Sequence, residues 1–273
     1  MMIVDKNKCI GCGLCVKDCF LNDIELVNGK AHIKNETCIK CGHCIAICPK
    51  NAVSTDDYNM DDVKEYNKET FDIEPENLLN FIKFRRTIRN FKDKDVENDK
   101  LLKIIEAGRF TQTGSNSQNV SYVVVKDKIA ELRDLVLETL KNMGEYILNN
   151  PTEENMQYKT YANMWIGMYN ENKDPSNKKD RLFFNAPSLI VVVSDSQVNA
   201  SLASSNMELM TDALGLGTFF SGFFVRAAQE NKAIKELLGL KETEQIVTCM
   251  VIGYPNVKFQ RTVPRKEASI TWR

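Results

Sequence analysis

Two cysteine runs near the N-terminus constrain this chain more than any other feature. Each run has the spacing CxxCxxCxxxC, and together they contain eight of the nine cysteines: Cys9, Cys12, Cys15, Cys19, Cys38, Cys41, Cys44 and Cys48. Thiolates at this spacing converge on one point, as a cubane iron–sulfur cluster requires. A zinc site closes with four ligands, usually supplied as two CxxC pairs. A disulfide framework is typical of short secreted chains, whereas this chain has 273 residues and starts without a signal-peptide pattern. The runs therefore indicate iron–sulfur clusters.

The two runs form an internal repeat, CIGCGLC against CIKCGHC, with a predicted hairpin between them. Two short alternating segments, at 24–27 and 30–33, flank Asn28-Gly29, a strong signal for a tight β-turn. Residues 1–55 resemble the bacterial two-cluster ferredoxins, although Phe20 stands where a proline usually follows the fourth cysteine. That resemblance implies that the fourth cysteine of each run crosses to the other cluster. It assigns one [4Fe–4S] cluster to Cys9, Cys12, Cys15 and Cys48, and a second to Cys19, Cys38, Cys41 and Cys44.

Composition excludes several other functions. The 36 basic and 37 acidic residues leave a net charge of −1, so no overall field attracts nucleic acid or an anionic membrane surface. The longest apolar run, 189–193, is too short to cross a bilayer. We therefore expect neither a nucleic-acid partner nor a membrane. Cysteines used as thiolate ligands indicate a reducing compartment, and we expect a cytoplasmic protein.

Beyond the clusters, the pattern predicts an acidic linker at 56–76 and a second domain at 77–273. Helical spacing of apolar residues is clearest at 101–105, 129–140, 152–169, 200–214 and 233–238. Short apolar runs at 122–125, 189–193 and 246–252 predict strands. Because the predicted helices outnumber the strands, and in places more than one helix separates two strands, the second domain is expected to be α+β rather than regular α/β.

Three segments of the second domain have the composition of ligand-binding loops. The first, RRTIRNF at 85–91, places arginines around a hydroxyl, which suits a terminal phosphate. The second, GSNSQ at 114–118, is a polar loop before a Val-rich strand, and the third, GLGT at 215–218, lets backbone approach a flat ligand. A further cation pair occurs in PRK at 264–266. Each segment alone is a weak signal, because a basic helix end is usually just solvated.

Taken together and in this order, these four segments resemble the nitroreductase family, and the resemblance covers residues 81–273. It implies an α+β domain with a central antiparallel sheet flanked by helices, an intertwined homodimer, and FMN at the subunit interface. It implies phosphate contacts from Arg85, Arg86, Thr87, Arg89, Arg265 and Lys266. For the flavin ring and its chain it implies contacts from Gly114, Ser115, Asn116 and Gln118 of the other subunit, and from Gly215, Leu216, Gly217, Thr218, Ser221 and Gly222. Gln112-Thr113 departs from the usual Pro-Ser, and Thr87 keeps the hydroxyl of the usual serine.

The expected function is therefore an FMN-dependent oxidoreductase. Single electrons from an external donor such as ferredoxin would pass through the two clusters to FMN, and a nitroaromatic, a quinone or a similar small organic acceptor would be reduced. One alternative is direct reduction of FMN by NAD(P)H, although the chain has no GxGxxG fingerprint after a strand. A second alternative is a non-catalytic FMN and iron–sulfur carrier or sensor.

No protein residue is predicted to act as a catalytic base. The chain contains only two histidines, His32 and His43, and both lie near the cysteine runs. Cys249, inside an apolar strand, is expected to be a buried small residue rather than a nucleophile. The Met- and aromatic-rich stretch 156–169 could line a substrate pocket, but packing in a core at the dimer interface is the favoured interpretation.

Overall fold

The computed structural model describes residues 1–176 and 179–273. These residues divide into two compact units. The N-terminal unit consists of Met1–Glu74 with Thr113–Ser117, and the C-terminal unit consists of Pro75–Gln112 with Gln118–Arg273. The sequence predicted divisions at 1–55, 56–76 and 77–273. In the structure most of the linker segment belongs to the N-terminal unit. Thr113 and the first four residues of the GSNSQ loop, at 114–117, belong to it as well.

The N-terminal unit is built from short elements. Its strands are β1 (Met2–Val4), β2 (Ile24–Val27), β3 (Lys30–Ile33) and β4 (Val53–Thr55), and its helices are α1 (Leu14–Asp18), α2 (His43–Ala46) and α3 (Lys68–Phe71). Two antiparallel pairs form, β1 with β4 and β2 with β3. The predicted hairpin is confirmed, with Asn28 and Gly29 at positive φ (51° and 74°), as the tight turn requires.

A small apolar core supports the two cysteine runs. Met2, Ile24, Ala31, Ile33, Ala52 and Val53 are buried in it together with Cys9 and Cys44. The buried Asp23 fixes the turn before the second run, because its carboxylate accepts hydrogen bonds from the backbone N–H groups of Asn35, Glu36 and Thr37. Burial alone would raise the pKa of Asp23, but these hydrogen bonds outweigh it and hold the pKa below its usual value.

The C-terminal unit has a four-stranded antiparallel sheet in the order β5-β6-β8-β7. Its strands are β5 (Ser121–Val125), β6 (Ser188–Val193), β7 (Gly217–Phe220) and β8 (Ile246–Gly253). Its helices are α4 (Pro75–Phe84), α5 (Asn98–Arg109), α6 (Ile129–Asn149), α7 (Lys159–Lys173), α8 (Gln197–Ala213), α9 (Gly222–Glu230) and α10 (Lys232–Leu237). The predicted α+β class is confirmed.

Both faces of the sheet are covered by helices, so the unit has three layers. On strand β6, Leu189, Val191 and Val193 face a core shared with α6, α7 and α9. The alternate residues Ile190 and Val192 face a second core shared with α5 and α8. This period-2 division of a fully buried strand explains why β6 is a continuous apolar run in the sequence. Cys249 of β8 is fully buried in the first core, as expected of an apolar residue, and burial raises the pKa of its thiol.

Two elements of this unit were missed in the sequence. The segment 217–220, interpreted as a ligand loop, is the edge strand β7, and α9 begins directly after it at Gly222. The stretch predicted as one helix over 152–169 is a short 3₁₀ turn (Met156–Tyr158) followed by α7. Gly215 has the positive φ (72°) expected of a residue that ends a helix. Among the described residues, no helix is long and apolar enough to span a membrane.

Candidate functional site

The eight cysteines of the two runs line two cavities in the N-terminal unit. Cys9, Cys12, Cys15 and Cys48 line a cavity of about 370 Å³, and Cys19, Cys38, Cys41 and Cys44 line another of about 340 Å³. All eight are free cysteines. Nowhere in residues 1–176 or 179–273 do three His, Cys, Asp or Glu side chains form a group that could hold a single metal ion. The fourth cysteine of each run thus lies with the first three of the other run, which is the grouping that the ferredoxin resemblance implies.

Backbone N–H groups point at several of these sulfurs. Ala31 N–H donates to Cys9 Sγ (3.4 Å), Lys40 N–H to Cys38 Sγ (3.4 Å) and Ala52 N–H to Cys48 Sγ (3.3 Å). The N–H of Ala31 lowers the pKa of Cys9 despite the opposing effect of burial. Such bonds stabilise negative charge on sulfur, as a cluster ligand needs.

Other thiols of the runs are hard to ionise without a bound cation. Burial raises the pKa of Cys44 to about 11, and the neighbouring Cys38 and Cys41 add to the rise. Burial also raises the pKa of Cys15. The positive charge of a metal site would compensate for this desolvation and favour the thiolate. The donor set, the grouping of four cysteines around each cavity and the N–H groups directed at the sulfurs therefore fit an iron–sulfur cluster in each cavity.

In the C-terminal unit, the fold places the first and third predicted segments side by side. The residues after α4 run along β7, where Thr87 pairs with Thr218 in an isolated parallel bridge and Ile88 N–H donates to Thr218 O at 3.0 Å. Gly217 permits this approach, because a Cβ there would lie 2.5 Å from Ile88 Cγ1. The short chain that carries Arg85 to Arg89 is therefore fixed against the sheet edge.

Two polar groups at this junction have no partner within the described residues. The Nε and Nη2 atoms of Arg86 are buried and have no hydrogen-bond acceptor. The hydroxyl of Thr218 is also buried and has no hydrogen-bond partner. Only Nη1 of Arg86 is bonded, to the backbone carbonyls of Lys83 and Arg85. Buried donors are normally satisfied. An anionic group such as a phosphate would satisfy the two free guanidinium nitrogens.

Arg85 is engaged differently. Its guanidinium forms a half-buried ion pair with Glu208 of α8 (2.8 Å), one turn before Asp212. Burial, with a smaller contribution from the nearby Glu208, raises the pKa of Asp212 to about 6, although Arg85 opposes the rise. This carboxyl pair was not found from the sequence. The available signal was that Glu208 and Asp212 are the only charged residues of α8 and stand four positions apart.

A cavity of about 750 Å³ lies beside α9. It is lined by Arg89, Met164, Met168, Arg181, Leu182, Phe184, Phe219, Phe220, Ser221, Gly222 and Phe223. Ser221 caps α9 through its hydroxyl, which accepts from Phe224 N–H. Within the Met- and aromatic-rich stretch 156–169, Ala162 and Trp165 are buried in the core, while Met164 lines this cavity.

The remaining predicted residues lie in three other segments of the chain. The loop Gly114–Asn116 is a 3₁₀ turn of the N-terminal unit, and its Asn116 side chain donates to the backbone carbonyls of Ile39 and Lys40. Arg265 and Lys266 lie in an exposed C-terminal segment without helix or strand. Gly215 and Leu216 form the turn between α8 and β7.

The fold and these sites define a redox protein that combines an iron–sulfur unit with an α+β oxidoreductase unit. Residues 82–254 match the family described as the nitroreductase family, and residues 1–49 match a 4Fe-4S dicluster domain. The chain belongs to the nitroreductase family and is an oxidoreductase with an N-terminal 4Fe-4S domain.

Individual relatives agree with this assignment. An Archaeoglobus fulgidus protein described as an NADH dehydrogenase/NAD(P)H nitroreductase is 25% identical over 190 residues, which cover 66% of this chain and 86% of that one. A Bacteroides fragilis nitroreductase solved with bound FMN has a TM-score of 0.54 at 19% identity, covering 71% of this chain and 98% of that one. Iodotyrosine deiodinase bound to FMN and 3-iodo-L-tyrosine has a TM-score of 0.53 at 19% identity, covering 72% and 98%. The two solved structures show the same fold.

The contact at Gly217 gives a first prediction. Gly217→Ala should lower the free energy of unfolding by about 1–3 kcal/mol, because the new Cβ overlaps the Ile88 side chain. Adding Ile88→Ala should restore part of the loss. Chemical denaturation of the purified protein measures both effects. The control is Gly167→Ala in α7, where a Cβ would meet no atom within 4 Å. If Gly217→Ala and the control were equally harmless, the close approach of the two segments would be wrong.

The raised pKa of Asp212 gives a second prediction. An unfolded aspartate has a pKa of about 3.9, so the folded state loses stability as pH rises from there through about 6, where Asp212 ionises in its half-buried site. Asp212→Asn should therefore be more stable than the wild type at pH 7.5, by about 1 kcal/mol after solvent screening, and the gain should shrink at pH 4.5. Urea unfolding at the two pH values measures this. Glu230→Gln, at an exposed position, should show no such pH dependence; an equal gain at both pH values would contradict the assignment.

Proposed function

We propose that this chain is an FMN-dependent reductase that receives single electrons through two [4Fe–4S] clusters and reduces a nitroaromatic, a quinone or a similar organic acceptor. One observation carries the proposal. The same chain has two cavities, each lined by four free cysteines, and an arginine, Arg86, with two buried nitrogens that lack acceptors within the described residues. The first feature suits one-electron carriers, and the second suits the phosphate of a flavin nucleotide.

The two cysteine groups have distinct assignments in this proposal. Cys9, Cys12, Cys15 and Cys48 hold the first cluster, and Cys19, Cys38, Cys41 and Cys44 hold the second. When bound, each cluster supplies a site for one electron at a time. The protein contributes the N–H donors at the sulfurs, the apolar core around Cys9 and Cys44, and the turn fixed by Asp23.

For FMN, Arg86 and Thr218 supply the strongest support, since both have buried polar groups aimed at no other described residue. We assign the phosphate to Arg86, with Thr87 and Arg89 beside it and Arg265 and Lys266 delivered by the exposed C-terminal segment. Arg85 acts through its ion pair with Glu208, which keeps the start of this segment on α8. Backbone near the flavin ring is supplied by Gly215, Leu216, Gly217, Ser221 and Gly222. In the implied dimer, the other subunit adds Gly114, Ser115 and Gln118. FMN, when bound, can accept and donate electrons either one or two at a time.

The cavity beside α9 is the proposed acceptor site. Its walls combine the apolar Met164, Phe184 and Phe219 with the cations Arg89 and Arg181. Apolar walls exclude water and accept an aromatic ring, while a guanidinium stabilises negative charge on a nitro or quinone oxygen. The two histidines lie in the N-terminal unit and are exposed, so this site is assigned no histidine base.

A homodimer is part of the proposal. The C-terminal segment exposes Phe259, Val263, Ile270 and Trp272, the last at 90% exposure, and α4 exposes Leu78, Leu79, Ile82 and Phe84. Apolar surface of this extent is normally covered by a partner. A second copy of the chain is the occupant that the family resemblance implies. A cytoplasmic location follows from cysteines that act as thiolate ligands.

NAD(P)H is the second candidate donor. The name of the Archaeoglobus fulgidus relative, an NADH dehydrogenase/NAD(P)H nitroreductase, favours it. A carrier or sensor without turnover is the third possibility.

Cofactor content and electron entry test the proposal together. Anaerobically purified protein should contain about eight irons and one FMN per chain. In stopped-flow mixing, reduced ferredoxin should bleach the flavin faster than NADPH does, because the clusters offer an entry for single electrons. Cys48→Ser should slow the ferredoxin reaction and leave the NADPH reaction unchanged, and Cys249→Ala, which removes a thiol outside the clusters, should change neither.

Three outcomes would count against parts of this proposal. Four irons or fewer in fully reconstituted protein would remove the two-cluster route. Faster bleaching with NADPH would favour the second donor. Lack of turnover across a broad anaerobic panel of acceptors, with FMN and iron complete, would favour a carrier or sensor.

The arginine fork gives a separate prediction. Arg86→Ala should raise the Kd for FMN about 10- to 100-fold, because charge-assisted hydrogen bonds worth about 1.5–3 kcal/mol are lost. Arg86→Lys should restore only part of the affinity, since an ammonium lacks the planar fork. Fluorescence titration of flavin-depleted protein with FMN measures the Kd. Arg109→Ala, at an exposed arginine of α5 paired with Glu106, is the control; an unchanged Kd in Arg86→Ala would place the phosphate elsewhere.

A further inference from the structure

The two cysteine loops of the N-terminal unit differ at one critical backbone position. In the first loop, CIGC, Gly11 has φ of 67°; in the second, CIKC, the equivalent residue is Lys40, with φ of 55°. Glycine adopts this left-handed conformation freely, whereas a lysine is strained in it. The second loop therefore needs contacts that hold Lys40 in place.

Asn116 provides those contacts. Its side-chain amide donates to the carbonyl oxygens of Ile39 (2.9 Å) and Lys40 (3.0 Å). These carbonyls belong to the peptide groups on either side of the Lys40 Cα, so one amide fixes both peptide planes. Asn116 is more than seventy positions away in the sequence, but its segment, Thr113–Ser117, is part of the N-terminal unit.

One of these peptide groups also contacts a cluster cysteine. The peptide between Ile39 and Lys40 accepts a hydrogen bond from Asn116 at its oxygen and donates one from its N–H to Cys38 Sγ (3.4 Å). A hydrogen bond to the oxygen polarises the peptide and strengthens its N–H as a donor. Hydrogen bonds to the sulfurs are among the factors that set cluster potentials.

We propose that Asn116 is a positioning residue for the second cluster. By fixing the peptides around Lys40, it keeps the Lys40 N–H on Cys38 Sγ and raises the reduction potential of the cluster held by Cys19, Cys38, Cys41 and Cys44. This rests on the proposed function, which assigns that cluster. Reduction adds one electron, supplied by an external one-electron donor, and makes the cluster more negative by one charge. The hydrogen bond stabilises the more negative form.

The test is an anaerobic redox titration of the whole protein with reduced viologen mediators, followed by electron paramagnetic resonance. Asn116→Gly removes the donor and still tolerates a positive φ, and Asn116→Asp keeps the shape but replaces the donor with an acceptor. Both should lower the potential of the second cluster. At a fixed applied potential, the ratio of reduced to oxidised second cluster should decrease by as much as about tenfold. A tenfold decrease corresponds to a potential lower by about 59 mV for one electron. The first cluster serves as an internal reference, and Asn7→Ala, at an exposed asparagine of the same unit, should shift neither cluster.

A double-mutant cycle separates this role from a general loss of structure. With Lys40→Gly the strain at position 40 disappears, so adding Asn116→Gly should shift the potential less than it does in the wild type. Lys40→Gly also removes the ion pair with Asp57. The test therefore compares the shift in potential caused by Asn116→Gly in the wild type with the shift it causes in the Lys40→Gly background.

The outcomes are distinguishable. Fewer than about eight irons in the wild type would defeat the proposed function itself. With full iron content, unchanged potentials in both Asn116 variants would overturn the positioning role. Loss of FMN with unchanged potentials would overturn it too and return Asn116 to the flavin site. A shift confined to the second cluster supports it.

Discussion

The crossing of the fourth cysteine in each run is the constraint on which the N-terminal unit depends. Cys48 lies with the first run and Cys19 with the second, so each cavity is closed by a residue from the opposite half. The hairpin β2–β3, the pair β1–β4 and the turn held by Asp23 all serve to bring the halves into this register. An apolar core this small gains much of its stability from cross-links. Cluster binding and folding are therefore expected to be coupled in this unit.

The C-terminal unit packs two apolar cores around one sheet and also contains buried polar groups that lack a partner among the described residues. The buried strand β6 anchors two apolar cores, and the sheet ends at β7, where the backbone of Ile88 is bonded to Thr218. Arg86 and Thr218 lie at that edge with buried groups that lack partners among the described residues. Such groups are costly unless a ligand completes them. Both residues therefore lie where the sheet edge and the basic segment 85–91 meet.

The two halves of the repeat in the N-terminal unit have the same cysteine spacing, but different contacts fix the backbone of each half. Gly11 must be glycine, because a Cβ there would lie 2.0 Å from the carbonyl oxygen of Gly29. Its counterpart Lys40 has a side chain, and its conformation is fixed by Asn116 instead. Two halves of one motif therefore reach the same backbone conformation by different means.

The sequence by itself determined the spacing of the eight cysteines, the Asn-Gly hairpin, the α+β class and the apolar strands β5, β6 and β8, because each depends on local spacing or on a short periodic pattern. It also identified the basic segment at 85–91. It did not predict that Arg85 forms an ion pair with Glu208, or that two buried nitrogens of Arg86 lack acceptors among the described residues. Edge strand β7 was missed, since Gly-x-Gly with aromatics resembles a loop. Only the tertiary structure decided that Gln112 and Gln118 bracket a segment belonging to the N-terminal unit, and that Asn116 contacts the second cysteine loop. The physical reason is that such contacts join residues far apart in the chain, where no local pattern records which groups will meet.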